Sequence, residues 1–355
     1  MMKQKVVLTG PCPRNIGGIS MHLSRLTRLL DNECQFDFVD EGHVRYDNVF
    51  NLRSFNLGRY LSIMRKADVV HINSGHFLLR MVNIIVAKLL LRKHTVVTIH
   101  RNPDVEPCLT ITRWLLNKCD HVVMVNQEGY NLMTKGIANA RYVMQPAFLP
   151  PVIDEEPQLP SPVIEWFKKA QTYSGHCVLV SNAWNLVMHN GEDLYGLDLC
   201  IQAAIKLRKL HQEPKFFFVF VVATCTDHID MLNRYIQQVQ VNGLEDQFLI
   251  WTSPLSFVRL LSYSDIMLRT TNTDGDAISV REALYMGKKV IASDVVQRPQ
   301  GVMLFENRNA DSLVDAIERS DKQQHSITAD EQLDYKKFYL ELYKSDNETI
   351  DAKTS

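Results

Sequence analysis

Apolar residues recur along the chain in two alternating patterns. Short uninterrupted runs such as Lys5–Thr9 (KVVLT) are typical of buried strands, whereas runs such as Met21–Leu30 (MHLSRLTRLL) carry apolar residues at helical spacing. The alternation predicts further strands at Phe36–Val39, Val69–Ile72, Thr95–Ile99, His121–Val125 and Tyr142–Met144, and helices at Leu79–Leu91 and Leu109–Asn117. Strands that alternate with helices predict a parallel sheet with crossover helices.

A proline-rich segment, residues 146–162, separates this series from a second one of the same kind. The second series predicts strands at Cys177–Val180, Phe216–Ala223, Phe248–Trp251, Ile266–Leu268, Val290–Ala292 and Met303–Phe305, and helices at Leu197–Leu210, His228–Val241, Pro254–Tyr263, Ser279–Met286 and Ala310–Arg319. We therefore predict an α/β protein with two Rossmann-like doubly wound domains facing each other across a cleft. A ligand is expected there, near the carboxyl ends of the strands.

The predicted domain boundaries follow from the two series. Residues 1–150 form an N-terminal domain, 151–162 a linker and 163–325 a C-terminal domain, and 326–355 form a helix and tail that could cross back to the N-terminal domain. The length of 355 residues agrees with two domains, and 46% hydrophobic with 22% charged residues is typical of globular proteins.

The net charge of −1 conceals an asymmetry between the two parts. Residues 1–150 contain 19 Lys and Arg against 11 Asp and Glu, and the remainder contains 20 against 29. A basic part can face phosphate or an anionic membrane, although ordinary surface variation explains the same numbers. Because cations cluster in Arg53–Lys66 and Leu78–Lys93, we predict salt-sensitive peripheral contact with anionic membrane through the N-terminal domain. In the alternative, the Leu78–Leu91 helix packs its apolar side on the sheet and only its cations meet water.

Cysteine spacing and the first residues bear on the cellular compartment. The 7 cysteines are widely spaced without a CxxC pair, which argues against a zinc site and a disulfide framework. The start, MMKQKVVLTG, lacks a signal-peptide layout, and the longest apolar stretch, Met81–Leu91, is too short to span a bilayer. We expect a soluble, reduced, cytoplasmic protein that can attach peripherally at the inner face of the cell membrane.

The segment DGDAISVREALYMGKKVIASD, Asp274–Asp294, concentrates the candidate chemistry at a predicted helix start. A helix N-terminus offers backbone N–H groups and partial positive charge to an anion. Gly275 and Ala277 are small enough for a diphosphate to approach the backbone, and Ser279 can cap the helix and donate its hydroxyl. Glu282 lies one turn inside, where its carboxylate can accept two hydrogen bonds from a ribose. The alternative is a capping box formed by Ser279 and Glu282.

This segment resembles the C-terminal signature of the GT-B glycosyltransferases of family 4, in which an acid, seven residues and a second acid precede an Ala-rich helix and strand. Asp274 takes the first acidic position and Glu282 the second. Other resembling stretches follow in order: Gly17–Gly18, ADVVHINSGH (Ala67–His76), VVTIH (Val96–His100), YGLDLCIQAA (Tyr195–Ala204) and GVMLFENRNADSLVDAI (Gly301–Ile317). Together they are similar to a bacterial polysaccharide-type member of the family.

The resemblance implies a retaining glycosyltransferase. It would move a sugar from a nucleotide-sugar, expected to be a UDP-sugar, to a glycan or lipid-linked acceptor in cell-surface polysaccharide biosynthesis, without cofactor, metal or nucleic acid. Asp274 would hold sugar hydroxyls, and His100 would face the sugar as the second catalytic residue. The implied donor-binding residues are Gly17, Gly18, Arg269, Gly275, Ala277, Ile278, Ser279 and Glu282. For His71, His76 and His100, satisfying backbone groups at strand ends is the alternative.

Two departures from the family pattern affect the donor diphosphate. Tyr195 stands where the family has a lysine, and the arginine expected after the Cys177–Val180 strand is replaced near Ser181–Trp184. Candidate substitutes are Arg14, Arg269 and Arg281. The departures leave two alternatives open, a nucleotide-sugar epimerase of the related GT-B type and a catalytically degenerate nucleotide-sugar-binding protein. We assign Asp274–Asp276 (DGD) to the sugar loop and predict metal-independent binding, a divalent ion held by both acids being the alternative.

Overall fold

The computed structural model describes residues 3–13, 18–100, 109–134, 141–226, 228–322 and 334–344. The chain divides into two compact units. The first unit consists of Met1–Leu149 and Asp330–Ser355, and the second consists of Pro150–Ala329. Each unit is built around its own parallel sheet with helices on both faces.

The sheet of the first unit has seven parallel strands. They are β1 (Gln4–Gly10), β2 (Cys34–Asp40), β3 (Phe50–Asn51), β4 (Val69–Ile72), β5 (His94–Ile99), β6 (His121–Met124) and β7 (Tyr142–Met144). Their order is β3-β2-β1-β4-β5-β6-β7, so the direction of winding reverses between β1 and β4. The central strands are buried from both sides, which explains their continuous apolar sequences.

In the described part of this unit, five α-helices connect the strands. They are α1 (Gly18–Leu29), α2 (Leu57–Lys66), α3 (Phe77–Ile84), α4 (Leu109–Leu116) and α5 (Gln127–Thr134). Helix α3 continues as a π-helical segment, Ile85–Leu90. Helices α2 to α5 pack on one face of the sheet, and α1 packs on the other.

Helix α3 and its continuation bury two polar residues together with Ile84, Val86 and Ala87 and leave other apolar residues exposed. Arg80 and Asn83 are buried, while Leu78, Val82 and Leu90 are exposed. The alternative therefore holds in part: an apolar side of this helix does pack on the sheet, but its cations are not alone in meeting water. Within the described residues, every helix also falls short of the length and hydrophobicity that a membrane crossing requires.

The sheet of the second unit has six parallel strands in the order β12-β11-β8-β13-β14-β15. In chain order these strands are β8 (Cys177–Ala183), β11 (Phe216–Val222), β12 (Phe248–Trp251), β13 (Ile266–Arg269), β14 (Lys289–Ser293) and β15 (Val302–Phe305). Between β8 and β11, the strands β9 (Met188–His189) and β10 (Glu192–Asp193) form a separate antiparallel hairpin. The winding reverses between β8 and β13. In doubly wound sheets, ligands bind outside the carboxyl ends of the strands at such a point.

Six α-helices among the residues described cover the two faces of this second sheet. They are α6 (Ser161–Ala170), α7 (Leu197–Leu210), α8 (Ile229–Val241), α9 (Phe257–Ser262), α10 (Ile278–Tyr285) and α11 (Ala310–Lys322). Helices α7, α8 and α11 share one hydrophobic core, and α6, α9 and α10 share the other. The prediction of two Rossmann-like doubly wound α/β domains is confirmed.

The last described helix, α12 (Tyr335–Tyr343), packs within the first unit. Its Tyr339, Leu342 and Tyr343 join α1 in the core on that face of the sheet. The Tyr343 hydroxyl lies 2.8 Å from His71 Nδ1, which ties this helix to β4.

Candidate functional site

Helix α10 starts two residues earlier than it would with Ser279 as its cap. Ala277 is its N-cap residue in extended conformation, without a side-chain capping bond, and the N–H of Val280 donates to the Ala277 carbonyl at 3.1 Å. Ser279 is therefore the second helical residue, so the capping box of Ser279 and Glu282 does not form and that alternative is wrong. The first N–H groups of the helix, those of Ile278 and Ser279, are of the kind that can receive an anion.

The loop before α10 is open at Gly275, one of the predicted donor-binding positions. A Cβ atom added to Gly275 would meet no atom within 4 Å, so packing does not require glycine there. The space is what a ligand approaching the backbone would need. Glu282 lies one turn into the helix and is buried, and its carbonyl accepts a bond from Met286 at 3.0 Å. The predicted contacts of Gly275 and Glu282 with a donor stay predictions.

Asp274 is held by two arginines. Arg269, the last residue of β13, donates from Nε and Nη2 to the two carboxylate oxygens at 2.9 and 2.8 Å. Arg298 donates from Nη1 to Asp274 Oδ2 at 2.6 Å, and Thr271 Oγ1 donates to the same oxygen at 3.2 Å. The side chains of Arg298 and Asp274 are only 3% and 7% exposed. Two guanidinium groups thus face one carboxylate, which leaves this cluster an excess of positive charge.

The arginines determine the ionisation of Asp274. Burial alone would raise the pKa of this carboxyl, but the hydrogen bonds and charges of Arg269 and Arg298 outweigh it and lower the pKa to about 2. Asp274 is therefore a carboxylate at neutral pH. The sequence analysis selected Arg269 and Asp274 separately, and the structure brings them together.

Arg298 is a site residue that the sequence analysis did not assign. It lies after β14, and its Nε donates to the carbonyl of Ser293 at 3.2 Å. The Ser293 hydroxyl in turn donates to the Thr271 carbonyl at 2.6 Å, which links the ends of β13 and β14. The only sequence signal was the RPQG stretch, which departs from the family pattern without indicating a contact with Asp274.

The two acids of the DGD stretch bind different arginines. Asp276 accepts from Arg281 Nε at 2.7 and 2.9 Å, whereas Asp274 belongs to the Arg269 and Arg298 cluster. Arg281, a candidate for binding the diphosphate, is paired with Asp276 in this structure. Among the residues with assigned positions, no three His, Cys, Asp or Glu side chains converge as metal ligands would. Metal-independent binding stays a prediction.

Tyr195, which replaces the family's lysine, lies against the same cluster. Its ring centroid is 5.5 Å from the Arg269 guanidinium carbon, within range of a cation–π contact. The next residue, Gly196, has φ of 70°, and a Cβ atom there would lie 2.4 Å from the Thr270 carbonyl oxygen. Thr270 Oγ1 donates to the Tyr195 carbonyl at 2.7 Å. Glycine is therefore required where the start of α7 meets the end of β13.

In the first unit, His100 lies just after β5. Its Nε2 is 3.0 Å from Asn73 Oδ1, and its ring centroid is 5.2 Å from that of His22, a buried residue that the sequence analysis did not single out. Burial, followed by the nearby charges of His22 and His71, holds the pKa of His100 well below its ordinary value. His100 is thus neutral at pH 7, and its predicted contact with a sugar stays a prediction.

The other two candidate histidines differ from each other. His71 is buried, with Nδ1 and Nε2 each 2.8 Å from a hydroxyl, those of Tyr343 and Thr98. His71 thus has a role inside the fold, as the alternative expected, but its ring partners are side-chain hydroxyls rather than backbone groups. His76 is exposed at the N-cap of α3 and makes no side-chain capping bond.

A buried carboxyl, Glu41, was also missed. It follows β2 and accepts from Ser74 Oγ at 2.5 Å and from Asn83 Nδ2 at 2.8 Å. Burial raises the pKa of Glu41 to about 7, although the bonds from Ser74 and Asn83 lower it. Its sequence signal was an acid after a strand, which is common at protein surfaces. Its partners Ser74 and Asn83 lie just after β4 and in α3.

The predicted glycine pair is described only in part. Gly18 is the first residue of α1 and is exposed. Gly17 and Arg14 lie outside the described residues.

No family model matches this sequence, and a comparison with curated proteins finds no match either. Solved structures, in contrast, match over almost the whole chain. The glycosyltransferase from Rickettsia africae has a TM-score of 0.63 at 16% identity, over 90% of this chain and 88% of that one. The Anabaena protein HepE in complex with UDP and glucose has a TM-score of 0.61 at 13% identity, over 90% of both chains. The fold is GT-B.

A third GT-B structure agrees with these two. Sucrose-phosphate synthase from Thermosynechococcus elongatus has a TM-score of 0.56 at 13% identity, over 89% of both chains. Identities this low show the fold alone, and the GT-B fold serves different sugar donors and acceptors. What the chain does therefore has to be argued from its own residues.

Proposed function

We propose that this protein is a glycosyltransferase that takes a sugar from a UDP-sugar donor. The observation that carries the proposal is the cluster of Arg269 and Arg298 around Asp274, next to the N-terminus of α10, at the carboxyl end of β13. This end borders the point between β8 and β13 where the winding of the second sheet reverses. The GT-B neighbour HepE, solved with UDP, supports the choice of nucleotide.

The chemistry requires positive charge where the diphosphate leaves. Negative charge grows on the diphosphate as the bond to the sugar breaks, and preorganised donors stabilise it. The N–H groups of Ile278 and Ser279 are such donors, and the arginine cluster retains excess positive charge after Asp274 is counted. We infer that Arg269 and Arg298 take the place of the two cations that the family pattern has and this chain lacks.

The remaining roles follow the resemblance to family 4. The acceptor hydroxyl attacks the sugar on the face from which the diphosphate leaves, which retains the anomeric configuration, and the leaving phosphate takes its proton. Glu282 binds the ribose, and Asp274 holds sugar hydroxyls with its outer carboxylate lone pairs. His100 contributes as a neutral imidazole. The acceptor is a glycan or a lipid-linked sugar of cell-surface polysaccharide synthesis, and the enzyme works in the cytoplasm at the inner face of the membrane.

A thermal-shift panel of nucleotide-sugars tests the donor class. A ligand at a hundred times its dissociation constant adds about 2.7 kcal/mol to the free energy of unfolding. We expect a UDP-sugar to raise the melting temperature of the wild type and of Arg234→Gln, whose arginine is exposed on α8. Arg298→Gln should show no comparable rise. A panel without any shift in the wild type would contradict the proposal.

Excess chelator tests the predicted metal independence. Because Asp274 and Asp276 bind arginines, we expect UDP-sugar binding and transfer to persist with chelator present. Activity that chelator abolishes and Mg²⁺ or Mn²⁺ restores would show that a cation is needed.

A further inference from the structure

The outer surface of α3 and its π-helical continuation is apolar. Leu78, Val82, Ile85 and Leu89 follow one another at spacings of four, three and four residues, which places them on one side of the helix. Each of them is more than a third exposed. Leu90 extends the surface and is 65% exposed.

The neighbouring helix α4 continues this surface. Helix α4 packs beside α3 on the same face of the sheet, and its Ile111 and Trp114, three residues apart, are 48% and 53% exposed. We call these seven side chains the apolar surface: Leu78, Val82, Ile85, Leu89, Leu90, Ile111 and Trp114. A cluster of large exposed apolar side chains on a soluble domain usually marks a contact with another protein or with a membrane.

Buried polar contacts fix the direction in which α3 faces. Asn83 is fully buried, donates to Glu41 and accepts from the Tyr60 hydroxyl at 2.7 Å. Arg80 is buried on the same side of the helix. Rotating α3 to hide the apolar surface would break these bonds and expose their partners, which costs free energy. The exposure of the apolar residues is therefore built into the fold.

The described helical segments that carry the apolar surface contain cations and no acidic residue. Residues 77–93 and 109–119 contain no Asp or Glu, and their cations outside the core are Lys88, Arg92, Lys93, Arg113 and Lys118. Lys118 Nζ lies 5.5 Å from the centroid of the Trp114 ring. Lys88 is paired with Asp120, so it contributes less than the others. Tryptophan and lysine beside aliphatic side chains are typical of the interface between lipid headgroups and acyl chains.

We propose that the apolar surface of α3 and α4 inserts into the headgroup region of a bilayer that contains anionic phospholipid. The proposal rests on the proposed function, in which the acceptor is lipid-linked, and it adds the surface that meets the lipid. The predicted set of membrane-facing cations changes accordingly. Arg80 is excluded because it is buried, and Lys118, which the charge pattern did not single out, is included.

Sedimentation with vesicles tests the proposal on the 355-residue chain without donor. The vesicles are phosphatidylcholine with or without phosphatidylglycerol. The test variant is Leu78→Ser with Leu89→Ser, and the control is Leu210→Ser with Val241→Ser, two apolar residues of the second unit that are even more exposed. We expect the wild type and the control to bind the anionic vesicles, and the test variant to bind at least about tenfold more weakly. Unchanged melting temperatures will show that all variants are folded.

A charge variant separates insertion from general attraction. Arg92→Gln with Lys118→Gln should weaken binding to anionic vesicles about fivefold per cation and reduce its dependence on salt. Trp114 fluorescence should shift to shorter wavelength on binding in a protein whose other tryptophans are replaced by phenylalanine. Binding that depends on charge without any shift of Trp114 would overturn insertion.

Two further outcomes would also overturn the proposal. One is equal binding of the wild type and the Leu78→Ser, Leu89→Ser variant to anionic vesicles. The other is a lipid-free dimer of the wild type that the same variant loses, because a second copy would then cover the surface. Sugar transfer to a soluble acceptor is measured separately. A protein that transfers sugar and ignores vesicles would refute the membrane surface and leave the transferase intact.

Discussion

Arg298 donates a hydrogen bond of 2.6 Å to Asp274 from a position 24 residues further along the chain. Arg269 binds the same carboxylate with two bonds, so the first acid of the signature is the centre of an ion cluster. The cluster couples the ends of β13 and β14 to the loop before α10. It also gives the site the positive charge that Tyr195 and the Ser181–Trp184 stretch do not supply.

The Arg298 and Asp274 pair should affect stability and donor binding differently. Breaking a buried ion pair from one side costs about 3–5 kcal/mol, so Arg298→Gln should lower the free energy of unfolding in urea. Combining it with Asp274→Asn should recover part of that loss, because the carboxylate is then removed as well. UDP binding, measured by calorimetry, should stay lost in both. A double variant that binds UDP as the wild type does would show that Arg298 only neutralises Asp274.

Glu282→Gln should weaken donor binding by about 1–3 kcal/mol, because a charged acceptor of hydrogen bonds is lost. Calorimetry with a UDP-sugar measures the loss. Stability should change little, because glutamine keeps the size of this buried side chain. Normal donor binding together with a much lower melting temperature would assign Glu282 to folding alone.

Ser279→Ala provides the matching test of the helix start. Because Ser279 is inside α10, the substitution should change the free energy of unfolding by less than about 0.5 kcal/mol. Ser256 is the control, since it caps α9 and accepts from the Arg259 N–H at 3.0 Å. Ser256→Ala should cost about 1 kcal/mol. Equal losses for the two serines would argue that Ser279 caps its helix after all.

Gly196→Ala should destabilise the protein far more than an alanine at another left-handed glycine. The new Cβ would collide with the Thr270 carbonyl, whereas Gly243, with φ of 63°, has no atom within 4 Å of such a Cβ. Gly243→Ala should cost about 1–2 kcal/mol for its backbone conformation, and Gly196→Ala at least about 2 kcal/mol more. Urea unfolding of the two variants measures the difference. Equal costs would contradict the close contact between α7 and β13.

Stability should fall as the pH is lowered from 6.5 to 4. Burial lowers the pKa of His22 to about 4 and of His71 to about 3, from 6.5 in the unfolded chain. The unfolded state binds these protons first, so acid favours unfolding in this window. Glu41 acts in the opposite direction, because its pKa is raised from 4.5 to about 7 and the folded state takes up its proton first.

Urea unfolding between pH 7.5 and 4.5 separates the two effects. The wild type should lose stability as the pH falls, and Glu41→Gln should lose it more steeply because the opposing group is gone. A free energy of unfolding for Glu41→Gln that stays constant or rises toward pH 4.5 would contradict the pKa values of the histidines.

The sequence pattern predicted several buried strands and helix α7 closely, and it missed helices whose sequences are polar or contain proline. The bounds of β4, β7, β12 and α7 agree with the predicted ranges. Helix α5 was missed because its sequence, QEGYNLMT, is largely polar and contains a glycine. The start of α6 was assigned to the linker since it contains Pro162, although proline is favoured in the first turn of a helix.

The site was predictable where it is local in sequence. The loop and helix from Asp274 to Glu282 form one continuous motif, so their proximity follows from the chain itself. The contacts of Arg298 and Glu41 depend on which strand ends meet, and sequence spacing does not contain that information. The orientation of α3 likewise depends on the hydrogen bond that Asn83 donates to Glu41. With Asn83 held inside, Leu78 and Val82 lie on the outer side of the helix.

Release of UDP from a UDP-sugar in the presence of an acceptor tests the central claim most directly. The purified wild type and Arg234→Gln should release UDP together with a glycosylated product. Arg298→Gln should be slower by about a hundredfold or more, as expected when a group that stabilises the leaving charge is lost. No UDP release from any UDP-sugar, or release that Arg298→Gln leaves unchanged, would contradict the account.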